Sequence, residues 1–183
     1  MPMGAADPAG QPRPAGARGA LLRSGGGRPR WRGREGRRLA ELVAINSGAA
    51  CMVSPEGSPV SASFDRIVVA WNGSREARHA LGEGMAFIEA ARDVRVVTIG
   101  WEPDQGSIDD LLRHLAVHGV EAGFERVTNH VDHGTAIIDR CARFGADLLI
   151  MGAFAHPPAT EMILGGATRT VLNETPLPVL MAH

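Results

Sequence analysis

Continuous apolar runs along the chain predict strands that are buried on both faces of a sheet. A further run is more charged and more strictly alternating, which is typical of a strand at the edge of a sheet. The buried runs are "RIVVAW" (66–71), "VRVVTIG" (94–100), "DLLIMG" (147–152) and "PVLMA" (178–182), and the edge run is "VEAGFERV" (120–127).

Between these runs, apolar positions recur with the period of an amphipathic helix. Ser74 is a suitable N-cap for the first helix, which has apolar residues at Ala77, Leu81, Met85, Ile88 and Ala91. The second helix is predicted over 107–119, with Ser107 as its N-cap and Gly119 as its terminator. Two further helices are predicted over 134–145 and from about 166 to 173.

Strands and helices therefore alternate over residues 64–183, which predicts an α/β domain. The expected architecture is an open, mostly parallel five-stranded sheet with helices on both faces and right-handed crossovers. Ligands bind such sheets at the carboxyl ends of the strands, where the strand order reverses. The loops after residues 71 and 152 both fall on that side of the sheet.

The preceding residues divide into two zones. Residues 1–38 are rich in Gly, Pro, Ala and Arg and contain few aliphatic residues, so a disordered tail is predicted. Residues 39–63 read as a short helix around Leu39, Leu42 and Val43, a turn, a strand at Ala50–Val53 and a linker.

Charge and cysteine content restrict the class of protein. Residues 1–38 hold nine arginines and two acids, whereas residues 39–183 hold ten arginines and eighteen acids. The acidic body argues against nucleic-acid binding. An alternative is that the arginine-rich tail itself binds nucleic acid. Only two cysteines, and no apolar run of membrane-spanning length, lead us to expect a cytoplasmic protein without a membrane segment.

The stretch "DLLIMGAFAHPPATEMILGGATR" (147–169) contains the best candidate for a binding site. Gly165 and Gly166 open a helix, whose backbone N–H groups and dipole attract anions. Gly152 allows a sharp turn and a close approach of a ligand to the backbone. The alternative is that these glycines serve only the packing of helix against sheet. Asn72 could accept a hydrogen bond from a sugar hydroxyl, or could simply form an Asn-Gly turn.

Four segments in this order and spacing resemble the universal stress protein family: "RIVVAWNGS", "GTAIIDRCARFGADLLIMG", "LGGATRTVL" and "PVLMA". The resemblance implies an adenine-nucleotide alpha-hydrolase-like fold with strand order 3-2-1-4-5. It also implies a stress-associated nucleotide-binding or ligand-binding module rather than an enzyme. The alternative is a nucleotide-processing enzyme on a related fold.

The ATP-binding branch of the family carries a G-x2-G-x9-G-[S/T] motif, which this chain matches only in part. Gly152 and Gly165 occupy the first and third positions, while Ala155 and Gly166 replace the second glycine and the hydroxyl residue. Asn72 stands where the family has aspartate, so ATP binding is expected to be weak or absent. The implied site consists of Asn72, Gly73, Ser74, Ile99, Gly152, Ala155, Gly165, Gly166 and Ala167.

Neither catalysis nor metal binding is predicted. His114 and His118 are spaced like two ligands on one helix, and His130, Asp132 and His133 lie together in sequence. The first pair has no carboxylate or third ligand at a telling distance, and solvent exposure is the default expectation for both groups. Cys141 falls on the apolar face of its helix and is expected to be a buried thiol.

The segment "NSGAACMVSPEG" resembles the end of a preceding stress-protein domain, so the chain reads as the second domain of a tandem protein with a truncated first domain. An orphan strand leaves unpaired backbone groups unless it finds an edge. We therefore expect Ala50–Val53 to pair with the Val179–Met181 edge of this chain or of a partner. The same apolar edge predicts a homodimer.

Overall fold

The computed structural model describes residues 20–23, 42–55, 63–100, 105–128, 132–153 and 166–183. Its strands and helices occur in the following order: β1 (Ala20–Arg23), α1 (residues 42–46), β2 (Cys51–Ser54), β3 (Arg66–Ala70), α2 (Arg75–Ala90), β4 (Asp93–Ile99), α3 (Gln105–Val117), β5 (Ala122–Val127), α4 (His133–Phe144), β6 (Leu148–Gly152), α5 (Gly166–Glu174) and β7 (Val179–Ala182).

The described strands form one seven-stranded sheet in the order β1-β2-β7-β6-β3-β4-β5. The five strands of the main domain thus have the predicted order 3-2-1-4-5, and all their pairings are parallel. The prediction of five strands was too low, because β1 and β2 extend the sheet beyond β7.

Helices cover both faces of the sheet, as predicted. Side chains of α2 and α3 pack with one face, in a cluster that includes Ile67, Ile150 and Leu180. Side chains of α1, α4 and α5 pack with the other, in a cluster that includes Leu149 and Met181. The central strands β3 and β6 are buried on both sides, which explains why they read as unbroken apolar runs.

Local sequence signals fix most helix ends. Ser74 caps α2 by accepting a hydrogen bond from the backbone N–H of Ala77, at 3.1 Å. Gly145 ends α4 with a left-handed conformation, φ 67°. The predicted cap Ser107 is wrong, since α3 already begins at Gln105 and includes Ser107. None of the described helices combines the length and the apolarity that a membrane crossing requires.

Strand β2 lies antiparallel to β7, with Met52 opposite Leu180 and Val53 opposite Val179. Its other neighbour is β1, which runs parallel to it. β7 is therefore paired on both sides, so a second copy could reach the edge proposed for a homodimer only after β2 had left it. Residues 1–38 were predicted to be disordered, but four of them form strand β1. The rest of that segment lies outside the described residues.

Candidate functional site

The strand order reverses between β3 and β6, and open α/β sheets have their ligand-binding crevice at the carboxyl ends of the strands at such a point. α2 follows β3 on one face of the sheet, whereas α5 precedes β7 on the opposite face. The starts of both helices therefore border the same region of the sheet edge. This is the position at which open α/β sheets bind ligands.

The loop after β3 is an Asn-Gly turn. The Oδ1 atom of Asn72 accepts a hydrogen bond from the backbone N–H of Ser74, at 3.1 Å. Gly73 has φ 70°, a conformation that disfavours other residues. The hydroxyl of Ser74 is engaged in capping α2. Turn formation thus accounts for these three residues, although the side-chain N–H2 of the exposed Asn72 takes no part in that bond.

Gly152, the last residue of β6, lies directly under the first turn of α2. A Cβ atom at this position would stand 2.6 Å from the backbone N of Ala77 and 2.8 Å from the carbonyl carbon of Glu76. Real side-chain atoms do not approach a backbone so closely. Close packing of α2 on the sheet is therefore sufficient to require glycine at position 152. This agrees with the alternative given above, in which the glycine serves packing and not ligand binding.

Gly166 has the opposite environment. It is exposed at the start of α5, and among the described residues no atom beyond its own chain neighbours and helix backbone lies within 4 Å of the position that a Cβ would occupy. Helix geometry leaves the first amides, those of Gly166 and Ala167, without intrahelical acceptors. Among the described residues, none covers the start of α5 at Gly166. Ala155 and Gly165, the other predicted members of the loop, lie outside the described residues.

Asp132 links the starts of α4 and α5. Its carboxylate accepts hydrogen bonds from the backbone N–H groups of Gly134, at 2.7 Å, and Thr135, at 3.1 Å. The hydroxyl of Thr170 on α5 donates to the same carboxylate at 3.2 Å. The hydrogen bond from Thr135 is the main cause of a lowered pKa for Asp132. This connection between the helices was missed, because Asp132 was read as part of a loop cluster of possible metal ligands.

The end of β4 completes this side of the crevice. Ile99 is buried, with 8% exposure, and packs in the core cluster of α4 and α5. Gly100 follows with φ 63°, and the ring of His133 covers it: a Cβ there would lie 2.6 Å from Nε2. His133 therefore occupies the space above the end of β4, which sequence spacing alone did not indicate.

Two buried polar atoms near the end of β3 have no hydrogen-bond partner in the described structure: Nε1 of Trp71 and Oγ1 of Thr98. Continuing the register of β3 and β4, in which Ala70 lies opposite Val97, places Trp71 opposite Thr98. Both side chains are largely buried, with 6% and 0% exposure. An unpaired buried polar atom is costly, so this pair is a local source of instability.

His183 closes the other end of the crevice. Its Nδ1 atom lies 3.0 Å from the backbone oxygen of Ala153, directly after β6. The backbone oxygen of His183 lies 3.1 Å from Nδ1 of His79 on α2. These contacts tie the residues after β6 and β7 to α2, beside the candidate site.

Four of the five candidate metal residues make other contacts, and the fifth, His130, lies outside the described residues. The rings of His114 and His118 meet edge to face with centroids 4.8 Å apart, and His118 lies 2.8 Å from a carboxylate oxygen of Glu89. In the part of the chain that the structure describes, no three His, Cys, Asp or Glu side chains are grouped in a way that could hold a metal ion. Burial raises the pKa of the Cys141 thiol to about 12, which makes this thiol inert at neutral pH.

Residues 101–183 match the universal stress protein family model. The match extends from just before α3 to beyond β7 and thus includes β6, α5 and the loop between them. It covers less than half of the chain. No curated protein matches the sequence.

Solved structures of universal stress proteins have the same fold. One from Archaeoglobus fulgidus aligns with a TM-score of 0.65 and 20% identity over 79% of this chain, which spans only 53% of that protein. A universal stress protein in complex with cAMP aligns with a TM-score of 0.53 and 18% identity, covering 67% of this chain and 98% of its own. The hypothetical protein MJ0577 aligns with a TM-score of 0.51 and 20% identity, covering 63% and 93%. At these identities the similarity establishes the fold.

Proposed function

We propose that this protein is a stress-associated binding module that takes a nucleotide or a related phosphorylated ligand in the crevice between β3 and β6. The observation that carries the proposal is the exposed start of α5 at Gly166, located where the strand order reverses. The family match over this same region supports it. So does the fold shared with a universal stress protein that was solved with cAMP.

The chemistry of the crevice favours binding over catalysis. Asp132 is engaged by two backbone N–H groups and a hydroxyl, so its carboxylate serves to connect helices. His183 and Ser74 are likewise held by structural hydrogen bonds. We therefore propose a cytoplasmic protein that acts through ligand occupancy, without a chemical step of its own.

ATP is proposed to bind weakly. Gly166 offers a backbone amide but no hydroxyl, and the side-chain oxygen of Asn72 is already occupied by Ser74. A hydrogen bond to a charged group contributes about 1.5–3 kcal/mol, so losing such bonds lowers affinity by more than tenfold each.

The test is a titration of the protein with a fluorescent ATP analogue, repeated with cAMP. Gly166→Glu places a negative charge at the start of α5 and should weaken binding roughly tenfold or more, because each factor of ten corresponds to about 1.4 kcal/mol. Gly82→Glu is the matched control, since Gly82 also has no atom within 4 Å of its Cβ position but lies within α2. Equal affinities in the two variants would refute a phosphate site at Gly166.

A further inference from the structure

The turn after β3 contains the only asparagine of the sequence that is followed by glycine. The asparagines are Asn46, Asn72, Asn129 and Asn173, and Asn72 alone precedes a glycine. The side-chain carbon Cγ of an asparagine can be attacked by the backbone nitrogen of the next residue, because the ring that closes has five members. Glycine hinders this attack least, since it has no Cβ and its backbone adopts conformations that other residues avoid. The sequence therefore favours this reaction at Asn72.

The structure presents the Asn72–Gly73 pair in an arrangement that assists the attack. Asn72 is exposed and Gly73 is partly exposed, so water and hydroxide reach both residues. The attack places negative charge on Oδ1 of Asn72, and this atom already accepts a hydrogen bond from the backbone N–H of Ser74 at 3.1 Å. A donor aimed at the atom where charge develops stabilises the transition state. The N–H of Gly73 makes no hydrogen bond to another described residue, so no such contact opposes the loss of its proton.

The other asparagines of the described chain lack this arrangement. The backbone N–H that follows Asn46 is that of Ser47, and it is engaged by the backbone oxygen of Val43 at 2.9 Å. The nitrogen that follows Asn173 lies within α5, where the helix backbone engages it. Asn129 lies outside the described residues. Asn46 and Asn173 are therefore internal controls for Asn72.

We propose that Asn72 is a site of spontaneous deamidation, which replaces a neutral amide at the carboxyl end of β3 with a carboxylate. The Gly73 nitrogen loses its proton and bonds to Cγ of Asn72, while the bond from Cγ to Nδ2 breaks and ammonia leaves with that proton. Water then opens the succinimide: its hydroxyl bonds to one carbonyl carbon, and its hydrogen goes to the nitrogen released from that carbon. The product is aspartate, or isoaspartate when the main-chain carbonyl is attacked. Either carboxyl group ionises at neutral pH, so the chain gains one negative charge.

The new charge arises beside the start of α2. The N–H of Ser74 that bonds the amide oxygen can bond the carboxylate with charge assistance, and the helix dipole favours a negative charge at this end. The aspartate form therefore keeps the turn, whereas isoaspartate lengthens the main chain by one carbon and disturbs it. Because the reaction takes place within the turn, the inference does not depend on the proposed nucleotide site.

Peptide mapping of the aged protein tests the proposal. The purified full chain is incubated in mildly alkaline buffer and then digested with trypsin, which cleaves after arginine. Digestion separates Asn72, in peptide 67–75, from Asn46 in 39–66 and Asn173 in 170–183. Mass spectrometry should show replacement of NH2 by OH in peptide 67–75 before any change in the other two peptides. The conversion should be faster at higher pH, because hydroxide removes the proton of Gly73.

Asn72→Gln is the matched control, because it keeps the amide but would have to close a six-membered ring. On ion exchange this variant should keep its initial charge, while the unmodified chain yields a more acidic species at the position of Asn72→Asp. A parallel incubation in guanidinium chloride gives the rate without the turn. Conversion of Asn72 in the denatured chain but not in the folded one would show that the turn protects it. Conversion of Asn46 or Asn173 as early as Asn72 would likewise overturn the proposal.

Discussion

Gly152 and Ala77 approach so closely that no side chain fits between them: a Cβ on Gly152 would stand 2.6 Å from the backbone N of Ala77. The first glycine of the partial motif is thus also the point at which α2 rests on the sheet. Its presence is required by packing, whether or not a ligand binds nearby.

Gly152→Ala should lower the free energy of unfolding by about 1–3 kcal/mol, because the added methyl forces α2 away from β6. Chemical denaturation measures this change. Gly166→Ala is the control in open space and should change stability by no more than about 1 kcal/mol. Similar losses in both variants would mean that the contact with α2 is not what requires glycine at 152.

Restoring the family pattern should improve ATP binding. The triple change Asn72→Asp, Ala155→Gly and Gly166→Ser supplies the carboxylate, the small residue and the hydroxyl that this chain lacks. If each contributes about 1–1.5 kcal/mol, affinity should rise roughly 150-fold to 2000-fold. Calorimetric titration of both proteins measures the gain. Tight binding by the unmodified chain, or no gain in the variant, would contradict the assignment of these positions.

Asp132 should stabilise the fold at neutral pH through the start of α4. Its pKa is lowered in the folded state, so its contribution is present above the unfolded value of about 3.9 and is lost as the pH falls through the folded value. Asp132→Ala removes the cap and should cost about 1 kcal/mol at pH 7.

Asp132→Asn keeps a capping oxygen and removes only the charge. Its deficit at pH 7 should be about 0.3–1 kcal/mol, and the deficit should shrink toward zero in acid. Asp110→Asn, which removes an exposed ion pair with Arg113, is the control. Denaturation curves from pH 7 down to acid check both expectations. A deficit of Asp132→Asn that is independent of pH would exclude the charge as its cause.

Thr98→Val should stabilise the protein. The Thr98 hydroxyl is fully buried with no partner in the described structure, and valine has nearly the same shape without a polar atom. The expected gain in the free energy of unfolding is about 1 kcal/mol. Thr175→Val is the contrast, since Oγ1 of Thr175 is within hydrogen-bonding distance of the N and O of Leu177, and its loss should destabilise. A loss of stability in Thr98→Val would reveal a partner for the hydroxyl, such as a bound water.

The sequence was sufficient for the architecture of the main domain, because its signals are local and repeated. The short apolar run 148–152 favours a strand covered on both faces, and Ser74 and Gly145 mark helix ends through their capping interactions. The start of α3 was predicted wrongly at Ser107, because a residue that caps helices well is also tolerated within a helix. No sequence signal identified Gln105 as the start.

The site was less predictable because its contacts join distant parts of the chain. The placement of His133 over Gly100 and the bond from Thr170 to Asp132 depend on how α4 and α5 pack. Likewise, the sequence motif could not distinguish a glycine that allows a ligand to approach from one that allows a helix to pack closely on the sheet. Gly152 and Gly166 read alike in sequence, yet a helix turn fills the space beside Gly152, whereas no described residue outside its own helix contacts the Cβ position of Gly166.

The interior position of β7 also bears on solubility. At a sheet border, the apolar strand "VLMA" would present unpaired backbone groups on which another chain could pair. Placing β2 beside it moves the border of the described sheet outward to β1. The opposite border, β5, carries Glu125 and Arg126, the charges that discourage edge-to-edge stacking. By pairing with β7, β2 keeps this apolar strand away from the border of the described sheet, where it could pair with another molecule.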